Sequence, residues 1–243
     1  MKLLPFLMTL GMFVSLRAET TPLNQELVEG TENPIVCELA KAPSPKESPV
    51  FSNQKDANTS VGTYHYRLIL PTRYHADPKK SWPCLFVMSP NGRAEMRAMS
   101  DYLKANGYIV VLLDEAKNGV WGAIVGNFLA AHDDVIVRTR VQEEKKYATG
   151  HSGGARASSI FVQSRTGFCG VVLQSAGAYS NQGVYQVSDL KRLPIRIAMI
   201  MGKGNPNHVE IEGMKKVFTT HACEYSSSTA VTFGRQQRCL LKR

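Results

Sequence analysis

Residues 148–156 read Ala-Thr-Gly-His-Ser-Gly-Gly-Ala-Arg, and Gly150, Ser152 and Gly154 stand in the spacing Gly-x-Ser-x-Gly. A serine hydroxyl attacks a carbonyl usefully only when a base takes its proton and donors wait for the charge that forms on the oxygen. A sharp strand-to-helix turn supplies the donors. It lifts the hydroxyl clear of the sheet edge and aims the first N–H groups of the helix at the reacting centre. Glycine fits two residues to either side because neighbouring backbone passes too close for a side chain. Three fixed residues in five recur by chance, so the flanks decide. The sequence predicts a short strand over Lys146–Thr149, a helix over Ala155–Ser164 and a buried strand over Gly170–Ser175. That order is what the motif needs. The bland alternative is a glycine-rich turn with an idle serine.

The elements that must carry this turn are legible as alternating strands and helices. Tyr64–Leu70 alternates like a strand and ends at Pro71; Trp82–Met88 and Tyr108–Leu113 are near-continuous apolar runs, as central parallel strands are. Between them Glu95–Asn106 reads as a helix capped by Gly107. Phe128–Lys145 reads as one long helix, Ala176–Arg192 as an irregular lid or substrate wall, and Leu193–Met201 as a buried strand turning at Gly202–His208. Val209–Thr220 reads as a helix and Ala230–Phe233 as a last strand. The expected fold class is α/β, a mostly parallel central sheet with helices on both faces.

At 243 residues the chain can bury one substantial core. Met1–Ala18 has a basic start, an apolar run and a small residue, the pattern of a signal peptide cleaved after Ala18; export to a secreted or periplasmic location is expected. No later stretch is long and apolar enough to insert stably in a bilayer. Residues 19–60 are rich in Pro, Ser, Thr, Asn and Glu and read as a loosely structured lead-in, with the folded domain at 61–243. The net charge is +9, but Lys2, Arg17, Arg235, Arg238, Lys242 and Arg243 crowd the two ends. With no basic stripe interleaved with aromatics, nucleic acid is not an expected partner. Cys37, Cys84, Cys169, Cys223 and Cys239 match no zinc spacing; Cys84 and Cys169 read as buried thiols, and Cys37 is open to pairing with a C-terminal cysteine.

With this element order around the Gly-His-Ser-Gly-Gly turn, the chain resembles the α/β-hydrolases. Within them it is most similar to secreted esterase-like proteins related to polyhydroxybutyrate depolymerases and feruloyl esterases. The resemblance covers roughly residues 62–233 and is sharpest at Ala148–Arg156, Ser89–Arg93 and Gly202–Glu210. It implies that Ser152 is the nucleophile and the Gly153 N–H one oxyanion donor. The second donor falls to an N–H of Gly92 or Arg93, in a loop where Asn91-Gly92 stands for the His-Gly pair of many relatives. His151, Asn91 and Asn118 are the implied substrate contacts. The acid position of such enzymes falls on Asn205, and their histidine follows the last strand, where Gly234–Arg243 has none. His208 is then the remaining base candidate. His132 and His221 read as structural, and Glu210, Asp189 and Asp114 are spare carboxylates.

These departures matter chemically. The carboxylate fixes the imidazole tautomer, and replacing it by an amide in a serine protease lowers turnover roughly 10⁴-fold. The expectation is a carboxylic-ester hydrolase with impaired activity, acting on small or polymeric esters without metal or organic cofactor. The alternatives are a non-catalytic binding protein on the same scaffold and a truncated or frame-disrupted esterase.

Overall fold

The structure is a computed structural model that describes residues 19–181, 184–185, 194–202, 204–217, 220–224 and 228–233. The leader at 1–18, Asp189, Cys239 and the segment after Phe233 lie outside the described residues.

Nine strands form one sheet: β1 (Asn33–Leu39), β2 (Gly62–Ile69), β3 (Trp82–Met88), β4 (Ile109–Leu113), β5 (Val141–His151), β6 (Phe168–Gln174), β9 (Arg196–Gly202), β10 (Thr220–Glu224) and β11 (Ser228–Phe233). Their order is β1-β2-β4-β3-β5-β6-β9-β11-β10. Strands β7 (Ser180–Asn181) and β8 (Val184–Tyr185) pair separately. The central run β4-β3-β5-β6-β9 is parallel, and antiparallel pairs close both sides. Helices α1 (Gln54–Asn58), α2 (Ser100–Asn106), α3 (Trp121–Arg138), α4 (Gly153–Ser164) and α5 (Val209–Val217) accompany it. Among the described residues no helix is long and apolar enough to cross a membrane.

The period of two along β3 and β4 explains why both are apolar throughout. Cys84, Phe86 and Met88, with Ile109, Val111 and Leu113, face a core shared with α3 and α4. Leu85 and Val87, with Val110 and Leu112, face a smaller core under α2 and Leu103. The large core is held by an aromatic group in which Phe128–Phe161, Phe161–Phe168 and Phe86–Phe161 stand 4.6, 4.9 and 5.0 Å apart by ring centroid.

Three expectations need correction. The lead-in is not loose. Its Ile35, Cys37 and Leu39 are buried, and β1 pairs antiparallel with β2 from Asn33↔Leu68 to Leu39↔Gly62. Arg138 of α3 reinforces this end by donating to the carbonyls of Thr21 and Pro22. Cys37, committed to that core with its thiol toward the Tyr64 carbonyl, is a free cysteine. Second, the long helix starts and stops earlier than its apolar spacing suggests. Thr139 caps α3 in an extended conformation (φ −134°, ψ 168°), and Val141–Lys145 belong to β5. Third, the last strand runs the other way. In β11 Ser228 lies opposite Gly202 and Phe233 opposite Ile197, so Phe233 sits at the edge far from Ser152. Two strands, β6 and β9, also separate β11 from β5. A histidine placed directly after Phe233 would enter from the wrong edge of the sheet.

A chain of polar and charged groups runs from the large core to the surface. Lys146 Nζ lies 3.0 Å from His132 Nε2, and His132 Nδ1 lies 2.8 Å from Asp133 Oδ1. Arg165 holds both oxygens of Asp133 at 2.9 and 2.7 Å. Lysine can only donate, so Nε2 accepts from it, which leaves the Nδ1 proton for Asp133. His132 is therefore a structural residue, as expected. Burial lowers its pKa, helped by the Lys146 charge and opposed by Asp133. A histidine with a depressed folded pKa contributes stability above its unfolded value near 6.5, lost as pH falls through the folded value. Urea midpoints should drop between pH 7 and pH 5. In a His132→Phe/Lys146→Met double variant, which removes the lysine charge and its imidazole partner from the aromatic core, that drop should shrink while stability at pH 7 stays equal or rises. An unchanged pH slope would show that the titration lies elsewhere.

Candidate active site

The site is built at the carboxyl edge of β3, β5, β6 and β9. Ser152 joins β5 to α4 with φ 54° and ψ −117°, a conformation that an L-residue rarely takes. Two glycines make it feasible. A Cβ on Gly150 would strike the carbonyl of Gly154, and a Cβ on Gly154 would lie 2.5 Å from the Met88 carbonyl oxygen. The strand, the helix and β3 meet here through bare backbone. The Ser152 N–H donates to the Gln174 carbonyl at 2.7 Å, and its carbonyl accepts from Ala155 at 3.0 Å. No side chain caps α4. Among the described residues the Ser152 hydroxyl makes no hydrogen bond.

Ser152 is one of four non-glycine residues held at positive φ on this edge. The others are Arg93 (φ 43°) and Arg97 (φ 47°) in the loop after β3, and Ser175 (φ 59°) after β6. Such conformations cost of order 1–3 kcal/mol each and persist only where the surroundings over-determine them. For the β3 loop the determinant is Arg67, 9% exposed. It donates to Asp114 at 2.9 and 3.1 Å, to Glu32 at 2.7 Å and to the Ala94 carbonyl at 2.5 Å. The same loop is sewn to β4 by Arg93 N–H to the Asp114 carbonyl, 3.2 Å, and Ala94 N–H to that of Leu113, 3.0 Å. Asp114 is thereby a structural anchor.

The predicted site residues are brought together in part. Asn118 arrives at the turn: its side chain lies where a Cβ on Gly153 would fall, and its N–H bonds the Pro90 carbonyl at 2.8 Å. His151 and Asn91 line one cavity of about 410 Å³ with Gly92, Arg93 and Gly150. The N–H groups of Gly92 and Arg93 are both spent internally, on the carbonyls of Ser89 and Asp114, each at 3.2 Å. Among the described residues the neighbouring Asn91 N–H is held only by a long 3.4 Å contact to Ser89 Oγ.

Asn205 and His208 lie at the end of β9. Asn205 spends its side-chain oxygen capping a short 3₁₀ turn, accepting from the Asn207 N–H at 2.8 Å. His208 closes that turn, its N–H donating to the Asn205 carbonyl at 2.9 Å. Glu210, weighed as a spare carboxylate, is a clamp. Arg156 of α4 holds it at 2.7 and 2.9 Å, and the Gly177 N–H donates to it at 2.6 Å. Burial alone would raise its pKa, but these donors outweigh burial and lower it. It ties the loops after β6 and β9 to the elbow helix.

The cavity is also lined by residues that the sequence did not single out, among them Met88, Met96, Met99, Arg97 and Gln174. Their signal was weak: Met88 ends a predicted strand, Gln174 lies one residue before the end of another, and Met96–Met99 sits inside a predicted helix. Within that stretch only Arg97–Met99 forms a 3₁₀ turn, leading into α2.

No family model and no curated protein matches the chain. Solved structures with related outlines include a ferulic acid esterase, 16% identical with a TM-score of 0.42, the match covering 60% of each chain. Acetyl xylan esterase 1 from Thermoanaerobacterium sp. JW/SL YS485 is 16% identical with a TM-score of 0.37, covering 47% of this chain and 44% of that one. Porphyromonas gingivalis dipeptidyl peptidase 4 is 15% identical with a TM-score of 0.37, covering 48% of this chain and 19% of that one. The chain thus spans less than two thirds of each of these proteins. What the chain itself shows is an α/β fold, a mostly parallel central sheet with a strained strand-to-helix turn at Ser152.

Proposed function

We propose that the protein is a serine hydrolase of carboxylic esters with slow turnover, exported by its leader. The observation that carries this reading is the strained, glycine-packed turn that presents Ser152 at the uncapped N-terminus of α4. In this reading Ser152 attacks the ester carbonyl, and the tetrahedral oxyanion receives the Gly153 N–H and the Asn91 N–H. The alcohol leaves after taking a proton, and water then hydrolyses the acyl-enzyme. Oxyanion donors and binding alone support roughly 10³–10⁴-fold catalysis over water when a triad is incomplete. Slow turnover follows from the acid position, where Asn205 is an amide that serves as a cap, and from the direction of β11, which takes the chain away from the elbow edge. His208 is the candidate base. The same two observations favour, as a second reading, a scaffold that binds an ester without turning it over.

A fluorophosphonate probe should label the native chain, and Ser152→Ala should remove the label. p-Nitrophenyl acetate should show an acyl burst followed by slow turnover that falls further in His208→Ala. Labelling that survives in Ser152→Ala would refute the nucleophile. A native chain that takes no label but binds esters would establish the second reading.

A further inference from the structure

We propose that the cavity between the Asn91–Met99 loop and the elbow binds an ester whose apolar acyl chain ends in a carboxylate, with Arg93 reading that carboxylate. The ester end is taken from the hydrolase reading above; the carboxylate end rests on the cavity itself.

Gly150 and His151, immediately before Ser152, line the cavity at the end of β5, and Arg93 lines it from a loop bonded to Asp114 after β4, with β3 between those two strands. The apolar lining comes from the α2 side of the sheet, where Val87, Met96 and Met99 pack together. Unbranched thioether side chains shape themselves around an aliphatic chain. At about 410 Å³ the space lies in the range of small-molecule sites. Gln174, fixed by its amide to Thr149 Oγ1 at 2.8 Å, closes the wall beside the elbow.

The two arginines differ in what they have left to bind. Arg97 lies 3.6 Å from Glu95 and is partly neutralised. The Arg93 guanidinium makes no ion pair or hydrogen bond among the described residues. Both arginines stand at positive φ, 43° and 47°, in a loop that backbone bonds to the end of β4 hold in place. The Arg93 backbone is held by its own N–H bond to the Asp114 carbonyl, and Asp114 in turn by Arg67. Its guanidinium is a planar fork that matches a carboxylate with two parallel bonds. An unpaired fork across β3 from the nucleophile turn, beside an apolar lining, selects an anionic tail over a neutral one.

The test compares monomethyl adipate with dimethyl adipate on the full chain carrying Ser152→Ala, so that calorimetry reads binding without hydrolysis. The monoanion should bind at least about ten-fold more tightly, as a hydrogen bond to a charged group implies. Its affinity should fall between 50 and 500 mM NaCl while that of the diester does not. Arg93→Asn, a residue suited to left-handed backbone, should erase the preference; Arg97→Asn should leave most of it. Equal affinities, or a preference that survives Arg93→Asn, would overturn the assignment. Kinetics with Ser152 intact separates this from the hydrolase reading. Turnover of both esters at equal kcat/KM would keep the hydrolase and remove the carboxylate site. Preferential binding of the monoester with turnover of neither would keep the site and remove the hydrolase.

Discussion

Replacing Gly154 with valine is expected to cost about 3 kcal/mol of stability or more and to abolish probe labelling of Ser152. The reason is what the new Cβ would meet: the Met88 carbonyl oxygen at 2.5 Å, its carbon at 2.7 Å and the Ser89 nitrogen at 3.0 Å. These are backbone atoms at the end of β3, a strand paired on both sides by β4 and β5. A flexible side chain could swing aside; a central strand cannot. The helix would have to lift instead, taking with it the N–H groups that face the nucleophile. Gly204→Ala is the internal control, since a Cβ there meets nothing within 4 Å. It should change stability by less than about 0.5 kcal/mol. Urea midpoints of the two variants against the native chain measure the difference. Similar midpoints would mean that the elbow is not tightly packed against β3.

Ser152→Gly is expected to silence the protein and stabilise it at once. At φ 54° and ψ −117° the native residue occupies backbone space that glycine enters freely. The strain released is of order 1–3 kcal/mol, and the larger entropy of an unfolded glycine returns part of it. A net gain of about 1 kcal/mol should remain. No native bond offsets it, because the hydroxyl has no hydrogen-bond partner among the described residues. Ser152→Ala keeps the Cβ and therefore the strain, so it should stay within about 0.5 kcal/mol of native. Both variants lose the label; only one gains stability. A glycine variant no more stable than the alanine variant would locate the strain elsewhere and remove the case for a loaded turn.

What the sequence made legible follows from which physical signals are local. Trp82–Met88 and Tyr108–Leu113 announced central strands because both faces are buried, and the observed β3 and β4 differ by a residue at most. Gly107 read correctly as a helix cap, with φ 65°. The elbow was legible because its two close backbone approaches each demand a glycine. The alternation of Ile35, Cys37 and Leu39 was hidden in a polar stretch, so β1 was missed. Valines 135, 137 and 141 fit a helical face, but the apolar spacing carries no mark for the extended cap at Thr139. The direction of β11 depends on pairing between residues far apart in sequence, and no residue type records it. The strained arginines were invisible for the opposite reason: arginine has no left-handed preference, so its position there is known only from the backbone itself.

The strand order has a kinetic side. β4 slots between β2 and β3, and β3 finds its other neighbour only when β5 arrives, more than fifty positions later in the chain. Until then Leu85–Met88 and Ile109–Leu113, apolar on both faces, have one another and β2, but β3 lacks the strand that closes its other side. Pairings that span such separations form slowly, and short uncharged apolar strands left waiting adhere to copies of themselves. Refolding from denaturant should therefore be limited by concentration rather than by stability, with recovery rising on dilution. During synthesis the same interval is the one in which a holdase would have to shield β3 and β4, until residue 151 has emerged and the centre of the sheet can close.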